Sequence, residues 1–451
     1  MTRRIQLVAV ALITLAYLVI ATLYAVKTPA WQVPDEPAHY NYVAQVATNG
    51  CCPKLQPGDW DNAYLESIKA AKFSPASLQG RLNTIQYEDH QPPLFYLLMA
   101  PLYSVSGGDL TALRLFSVLL GAGVVIVAWA VVRVIFPAQP WLALATAAFV
   151  AFLPQHVAMM AGVENDSLAE LVVGLTVLAS VTYLGNGSRT IHPAILGTLA
   201  GVSFLTKLTV YPSIMAAVGL AFLIRARREH WTTPHWLRQA AWIAIPALLL
   251  GSIWWVRNVV TYGDIADFMG QKTHDAVVVG QLRVEDYIAG RDLNPPVVRG
   301  VGGWLRDGLQ VTFQSFWGQF GWMGVPMTGD IYLVLLLFTG FVVVGAVMAF
   351  VRFRRALAPP QGGALILMAA VAAMAFAETV VYNLKFVQFQ GRYLYPGLIP
   401  MALVVAVGLA GWAALIVQRL PLARWATVGV VCLFAALDVY VLFRIILPAL
   451  T

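Results

Sequence analysis

The sequence predicts an all-α polytopic membrane protein with about 11 transmembrane helices. Of its 451 residues, 59% are hydrophobic and only 11% are charged, whereas a soluble protein of this size carries about a quarter charged residues. Apolar runs of about 20 residues recur and are continuous rather than alternating, which indicates spanning helices and excludes a β-barrel. The net charge is +7, but the arginines lie in short clusters between apolar runs. That pattern is typical of orientation signals and not of nucleic-acid binding.

The first apolar run follows Arg3 and Arg4 and covers about 22 residues, 5–26. A cleaved signal peptide has an apolar core of only about 7–15 residues. We therefore predict an uncleaved first helix. The two arginines before it indicate a cytoplasmic N-terminus.

The first outer loop, residues 27–109, is predicted to contain interfacial helices. The residues that follow Pro37 favour a short helix at the membrane surface. Leu94–Val105 is apolar, but it is too short for an ordinary span and is bounded by Pro and Gly pairs. If this segment does not cross, every later arginine cluster faces the cytoplasm together with the N-terminus, so we predict a re-entrant or interfacial helix.

Ten further spans complete the predicted topology. They cover residues 110–134, 140–160, 167–184, 192–206, 209–224, 238–256, 331–351, 363–384, 395–417 and 425–447. The arginines that this topology places in the cytoplasm are Arg133, Arg189, Arg225, Arg227, Arg228, Arg238, Arg352, Arg354, Arg355, Arg419 and Arg424.

The same topology divides the chain into three parts. Residues 1–256, including the outer loop 27–109, form a transmembrane catalytic module. Residues 257–330 form an outer loop rich in Trp and Gly, and residues 331–451 form the C-terminal transmembrane helices. The tryptophans of the outer loop favour either an interfacial belt or a cover that stacks on a sugar or lipid.

Asp35 and Glu36 lie where the chain leaves the first span, between two prolines. Asp35 is a favoured residue type for a helix N-cap, and Glu36 would suit the dipole of the helix that follows. The alternative is that Asp35 and Glu36 are catalytic, because a carboxylate at this edge, Asp35 first, could take a proton from an acceptor hydroxyl. A second acid, Asp166, begins a later span on the same face. Asp35 and Asp166 could share a divalent cation such as Mg²⁺ or Mn²⁺.

Cations on the outer side are candidates for binding a phosphate. Arg392 opens a span from outside, where the helix N-terminus and a bidentate guanidinium both favour a phosphate. Arg257, Lys207 and Arg114 are further cations near the outer boundary. Alone, each is also explained as an interface anchor.

The other polar candidates lie in the first outer loop and inside the spans. His39, His90, Gln91 and Glu378 are candidates for contact with substrate. Acids within the membrane are functional candidates by default. Glu378 lies near the outer end of its span and is expected to approach Arg392, whereas Asp438 lies mid-span without an evident partner. The adjacent Cys51 and Cys52 are either bridged or free, and Cys432 lies in a distant span.

Taken together, these motifs resemble the GT-C superfamily of membrane glycosyltransferases. The likeness is to bacterial relatives of glycosyltransferase family 39, which includes protein O-mannosyltransferases and the lipid A aminoarabinose transferase. The matching segments are Pro34-Asp35-Glu36-Pro37-Ala38-His39-Tyr40, His90-Gln91-Pro92-Pro93-Leu94-Phe95-Tyr96, Arg114-Leu115, Asn165-Asp166-Ser167-Leu168-Ala169, Leu205-Thr206-Lys207-Leu208, Trp255-Val256-Arg257-Asn258, Tyr262-Gly263-Asp264, Ser315-Phe316-Trp317-Gly318-Gln319-Phe320-Gly321-Trp322 and Gly391-Arg392-Tyr393.

The resemblance implies a GT-C fold and a polyprenyl-phosphate-linked sugar donor. It implies that Asp35 is the general base of an inverting transfer, that Asp166 positions a metal or the acceptor, and that outer cations, Arg392 first, bind the donor phosphate. The chain lacks the large soluble insertion of the O-mannosyltransferases, which favours a lipid-linked or envelope-glycan acceptor over a protein acceptor.

The predicted function is therefore sugar transfer to an envelope glycan, lipid or protein acceptor at the outer face of the plasma membrane. The alternatives are a transporter or lipid flippase, or a glycan polymerase or ligase that uses a lipid diphosphate. Transporters usually have internal repeats and a polar site at the bilayer midplane, and the sequence shows neither clearly.

Overall fold

The predicted all-α architecture is confirmed by the computed structural model, which describes residues 2–185, 191–293, 295–416 and 423–451. The helices are α1 (Arg3–Lys27), α2 (Glu36–Asn49), α3 (Asn62–Ala70), α4 (Pro75–Leu78), α5 (Leu94–Ser106), α6 (Leu110–Ile135), α7 (Pro140–Ala151), α8 (Pro154–Met160), α9 (Asp166–Tyr183), α10 (Pro193–Phe204), α11 (Tyr211–Arg228), α12 (Thr233–Tyr262), α13 (Gln271–Val277), α14 (Val284–Ala289), α15 (Gly300–Trp317), α16 (Gly329–Phe353), α17 (Pro359–Asn383), α18 (Leu398–Ile416), α19 (Ala423–Cys432), α20 (Phe434–Val441) and α21 (Leu447–Leu450). Strands β1 (Gln319–Phe320) and β2 (Val325–Pro326) pair antiparallel.

Within the described ranges, nine helical segments are long and apolar enough to cross a membrane, so the chain is an integral membrane protein. The predicted span 140–160 is instead two helices, α7 and α8, which meet at 63°. Pro154 begins α8, and a proline cannot continue the hydrogen bonding of the preceding helix. Counting this pair as one span gives ten. The predicted number of about 11 is not confirmed, because α10 has only 12 residues.

The centre of the bundle is α7, whose residues from Leu142 to Ala151 are all buried. Its many alanines let neighbouring helices approach closely, as small residues do in membrane bundles. The long helices α12 and α16 lie at the periphery, where most of their apolar side chains are exposed toward the lipid. A helix that is apolar on all sides is expected in such positions.

The apolar segment predicted at Leu94–Val105 forms α5, a helix of 13 residues. Its length of about 20 Å is well below the roughly 30 Å of a bilayer core. The contacts of Arg392 with Asp35 and Glu164 require these residues to lie on one side of the membrane. Because α6 and the α7–α8 pair already lie between Asp35 and Glu164, a crossing by α5 would separate them. The prediction of a non-crossing helix therefore fits the observed contacts.

The outer loop 257–330 folds into α13, α14, α15 and the short hairpin. Two of its tryptophans point into the protein. Trp317 stacks on Phe434, and Trp322 stacks on Phe73. Trp317 is buried and therefore serves packing. Trp322 is partly exposed, and a contact of its ring with a sugar or lipid stays a prediction.

Cys51 and Cys52 are joined by a disulfide, and Cys432 carries a free thiol. Of the predicted cytoplasmic arginines, Arg189 and Arg419 lie outside the described residues, as does the side chain of Arg424.

Candidate active site

Asp35 occupies the N-cap position of α2, but its side chain makes no capping hydrogen bond. Its backbone is left-handed, with φ of +64°, a conformation that Asp and Asn tolerate better than most residues. The carboxylate points away from α2. One oxygen accepts a hydrogen bond from the Tyr87 hydroxyl at 2.7 Å, and the other accepts one from Arg392. The capping interpretation therefore does not explain this side chain.

Arg392 lies in a short 3₁₀ segment, Gly391–Gly397, that leads into α18. Its guanidinium donates to Asp35, to Glu164 Oε1 at 2.8 Å and to Gln390 Oε1 at 2.7 Å. The arginine side chain is 5% exposed and that of Glu164 is 1% exposed, whereas that of Asp35 is 24% exposed. Arg392 thus bonds to both Asp35 and Glu164 from the buried side of the site. Asp35 is the member of this group that solvent or a ligand can reach.

The surroundings of Asp35 keep its carboxylate ionised. Burial alone would raise the pKa of Asp35, but the charge of Arg392 and the hydrogen bond from Tyr87 outweigh it and lower the pKa. Burial, with the nearby charge of Asp35, raises the pKa of Tyr87 far above its usual value, so this phenol stays protonated and donates. The site therefore offers a carboxylate, not a carboxylic acid, throughout the neutral pH range.

His39 lies behind this group on α2. One ring nitrogen is 2.8 Å from the Tyr96 hydroxyl, and the other is 3.6 Å from Glu164 Oε1. Its side chain is buried, and burial lowers its pKa, so the imidazole is neutral near pH 7. The predicted contact of His39 with substrate stays a prediction, while its observed contacts are with the protein.

Lys207 and Asp166 form the second charged group of the site. Lys207 Nζ is 2.6 Å from Asp166 Oδ1, and both side chains are partly exposed. Burial alone would lower the pKa of Lys207, but the charges of Asp166 and Glu164 raise it, so the ammonium is retained. Glu378 is half-buried on α17, and its electrostatic partner is Lys207. The predicted approach of Glu378 to Arg392 and its predicted contact with substrate stay predictions.

The other predicted cations and polar residues bond to the protein itself. Arg114 pairs with Glu36, and both side chains are buried. Arg257 donates to the carbonyl oxygens of Cys52 and Pro53, and its guanidinium stacks on Trp254.

His90 and Gln91 are both buried in the first outer loop. One ring nitrogen of His90 is 3.1 Å from the Tyr87 carbonyl, and the ring lies against His274 with centroids 4.3 Å apart. Through Tyr87, His90 supports the residue that donates to Asp35. Its predicted contact with substrate, like that of Gln91, stays a prediction.

The predicted divalent cation does not fit the arrangement of these carboxylates. Asp35 already pairs with Arg392, and Asp166 already pairs with Lys207, so each carboxylate has a protein cation as its partner. No group of three or more His, Cys, Asp or Glu side chains that could hold a metal occurs in the part of the chain that the structure describes. Metal dependence stays a prediction, which a transfer assay with and without a chelator can check.

Three residues of the site were not singled out from the sequence. Tyr87 donates to Asp35, Glu164 accepts from Arg392, and Glu88 lies close enough to interact electrostatically with His39 and Asp35. Glu164 lies two residues before Asp166 in the sequence. Only the arginine of a segment more than 220 positions later, Arg392, reveals its role.

Asp438 lies apart from this site, in α20. It is fully buried, and neither carboxylate oxygen has a hydrogen-bond partner among the described residues. The Tyr24 hydroxyl donates to its backbone carbonyl rather than to its side chain.

Asp89 gives the first outer loop a testable pH dependence. Its side chain is buried and accepts two contacts from Gln45, and burial raises its pKa to about 8. Between pH 5 and 8 the folded protein therefore holds a proton that the unfolded chain has released, so stability falls as pH rises. In the wild type, the free energy of unfolding should fall by up to about 1.4 kcal/mol per pH unit over this range because of Asp89. We expect Asp89→Asn to abolish this contribution.

Thermal unfolding of the wild type and Asp89→Asn in detergent, from pH 5 to 8, checks this expectation. Asp61→Asn, a change of an exposed aspartate in the same loop, is the control. Parallel slopes for Asp89→Asn and the wild type would show that Asp89 is ionised in the folded state.

Comparison with known proteins supports the fold. A family model described as dolichyl-phosphate-mannose-protein mannosyltransferase matches residues 90–255, a range that includes Asp166 and Lys207 but neither Asp35 nor Arg392. The crystal structure of ArnT from Cupriavidus metallidurans in the apo state is 15% identical, with a TM-score of 0.51. The structure of that protein bound to undecaprenyl phosphate is 14% identical, with a TM-score of 0.49.

Each alignment with ArnT covers 98% of this chain and 73% of the other. No curated protein matches the chain. At this level of identity the likeness is one of fold, and it confirms the GT-C architecture that the motifs predicted.

Proposed function

We propose that this protein is a glycosyltransferase that transfers a sugar from a polyprenyl-phosphate donor to a hydroxyl acceptor, with Asp35 as general base. The observation that carries the proposal is the partly exposed Asp35 carboxylate, which Arg392 and Tyr87 hold in its ionised form. The family model that matches residues 90–255 is named for enzymes that use dolichyl-phosphate-mannose, which is a polyprenyl-phosphate sugar.

The proposed reaction is a single displacement. Asp35 accepts the proton of the acceptor hydroxyl while that oxygen forms a bond to the anomeric carbon of the donor sugar. The bond between this carbon and the phosphate oxygen breaks, and its electron pair leaves with the lipid phosphate. Attack from the face opposite the leaving group inverts the anomeric carbon. A base that is already ionised needs no prior loss of a proton.

Lys207 is our first choice for the donor phosphate. An ammonium has three N–H donors, and the bond to Asp166 uses one of them. Arg392 directs three of its N–H groups to protein oxygens and is more deeply buried. In this assignment, Lys207 contacts the leaving phosphate, while Arg392 adds positive charge and holds Asp35 in place.

The proposed setting is the outer face of the plasma membrane. The acidic and basic side chains of the site lie together on the side of the membrane opposite the N-terminal arginines. A polyprenyl donor would lie with its chain among the spans and its phosphate at this edge. The acceptor is an envelope glycan, a lipid or a protein that presents a hydroxyl there.

A reconstituted transfer assay tests this function. The purified protein in proteoliposomes is given synthetic polyprenyl-monophosphate sugars, and in parallel the corresponding diphosphates, with a mixed set of envelope acceptors. We expect transfer from the monophosphate. Transfer from the diphosphate alone would identify a polymerase or ligase. Movement of lipid or glycan across the bilayer without transfer would identify a transporter or flippase.

Lys207→Met is expected to raise the KM for the donor by about 10-fold to 100-fold. One charge-assisted hydrogen bond is worth about 1.5–3 kcal/mol, and the methionine keeps a similar length and apolar stem. Lys272→Met is the matched control, since Lys272 is an exposed lysine paired with Asp264 in the outer loop. Initial rates against donor concentration measure the effect. An unchanged donor KM in Lys207→Met would exclude Lys207 from the phosphate site.

A further inference from the structure

Helix α15 has an exposed apolar face. Val301, Leu305 and Leu309 are 59%, 51% and 71% exposed. They follow one another at intervals of four residues and therefore line one side of the helix. Three large apolar side chains in a row would be costly against water but suit the acyl region of a bilayer surface.

The last turn of α15 contacts the segment that carries Arg392. Ser315 Oγ accepts a hydrogen bond from the Gly391 backbone N–H at 2.7 Å, and the contact is buried. A side-chain carbon on Gly391 would lie 2.1 Å from the Phe316 nitrogen, so only glycine permits this approach. The next residue of α15, Phe316, accepts a hydrogen bond at its backbone carbonyl from the Tyr395 hydroxyl, at 2.9 Å. The segment is thus tied to the last turn of α15 before Arg392 by the Gly391 backbone and after it by the Tyr395 side chain.

Both ends of α15 are fixed. At the start, Arg299 pairs with Asp292 and stacks on Tyr287. At the end, Trp317 is buried in the bundle against Phe434. A continuous helix fixed at both ends links its exposed apolar row to the segment that carries Arg392.

Further apolar side chains are exposed at the outer end of α17. Val381 and Leu384, at the outer end of α17, are 65% and 60% exposed. Phe389, which follows them in the chain, packs against Trp304 and Gly308 of α15. The exposed guanidinium of Arg306 flanks the apolar row, where it can reach lipid phosphates while its stem lies on apolar surface.

We propose that α15 rests on the bilayer through Val301, Leu305 and Leu309 and, through the contact of Ser315 with Gly391, holds Arg392 against Asp35. Ser315 is then a positioning residue. This inference rests on the proposed function, since it assigns Arg392 the task of setting the base. It adds that the reaction depends on how α15 sits on the lipid surface.

Two consequences distinguish this role from ordinary packing. When Arg392 shifts, Asp35 loses the charge that lowers its pKa. The acid limb of the pH–rate profile then shifts to higher pH, and kcat falls. The donor phosphate is proposed to contact Lys207, so the donor KM stays unchanged.

The lipid contact is tested without reference to activity. Cys51 and Cys52 form a disulfide, and the change Cys432→Ala removes the free thiol of Cys432. In this background, a thiol-directed fluorophore labels only an introduced cysteine. Leu309→Cys carries the probe on α15, and Glu66→Cys, an exposed position on α3, is the control. In proteoliposomes we expect nitroxide-labelled lipid to quench the Leu309 probe and iodide to quench the Glu66 probe. Quenching of both probes by iodide alone would overturn the bilayer contact.

The positioning role is tested with Ser315→Ala, in the transfer assay of the proposed function. We expect kcat to fall by about 10-fold, because the buried N–H of Gly391 is left without an acceptor. The donor KM should stay within about twofold of the wild-type value. The acid limb of the pH–rate profile should move to higher pH. Ser315→Thr, which keeps the hydroxyl, should restore most of the rate. Ser203→Ala is the matched control, because Ser203 is buried and its hydroxyl bonds only within α10.

The outcomes separate the two proposals. If Ser315→Ala matches Ser203→Ala in kcat and in pH profile, the positioning role is overturned while the proposed function stands. If the wild type transfers no sugar, the proposed function fails, and the quenching result still decides whether α15 contacts lipid.

Discussion

Asp35→Asn is expected to lower kcat by about 10³-fold, within the range of about 10² to 10⁴ that general-base catalysis contributes. Asparagine has the same shape as aspartate and also tolerates the left-handed backbone at this position, φ +64°. Its amide oxygen can still accept the hydrogen bond from Tyr87. What it cannot do is take a proton from the acceptor hydroxyl. The loss should therefore appear in kcat, while the protein still folds.

The control for Asp35→Asn is Asp59→Asn, which changes a buried aspartate of the same loop that accepts a backbone hydrogen bond. Transfer rates and thermal unfolding are measured for both variants. The pH profile adds a second check. Because the pKa of Asp35 lies below its usual value, the wild-type rate should not fall until pH drops below about 4. Full turnover by Asp35→Asn would remove Asp35 as the base.

The fold was predictable because its main signal is continuous along the chain. Long apolar runs specify spanning helices by themselves, and most of the predicted spans match observed helices within a few residues. The failure at 140–160 has a local cause, since Pro154 divides the run and its two halves bend apart. The sequence shows the proline, but it does not show whether neighbouring helices keep the two halves straight.

The candidate site was only partly predictable, because its contacts join distant segments. The sequence identified Asp35, Asp166, Lys207 and Arg392 as charged residues on one face, and the structure brings them into one area. It could not pair them, since a charge pattern does not record which acid meets which base. The same limit applies to Glu36 and Arg114, which the sequence placed in the reaction.

Arg114→Met is expected to lower the free energy of unfolding by about 3–5 kcal/mol, the usual effect of leaving one partner of a buried ion pair uncompensated. A guanidinium has five N–H donors, and five contacts of Arg114 occupy them. Two go to the Glu36 carboxylate, and three go to the carbonyl oxygens of Ala25, Thr28 and Pro29. No donor remains for a phosphate. Arg114 therefore joins the end of α1 to the start of α2, directly beside Asp35.

Glu36 is satisfied in the same way. It also accepts hydrogen bonds from the backbone N–H groups of Trp31 and Val163, so it has no free oxygen with which to act as a second catalytic acid. We expect Glu36→Gln to be less destabilising than Arg114→Met, because a neutral amide leaves no buried negative charge. The double variant should lose less stability than the sum of the two single variants, since the two residues share one interaction.

Thermal unfolding in detergent measures these effects, with Arg133→Met as the control because Arg133 is an exposed arginine at the other end of α6. The decisive comparison is with the donor KM. If Arg114 is structural, the Arg114→Met protein that remains folded binds donor normally, and its deficit lies in stability. A variant with wild-type stability and a raised donor KM would instead return Arg114 to the phosphate site, and the network around Glu36 would then need another explanation.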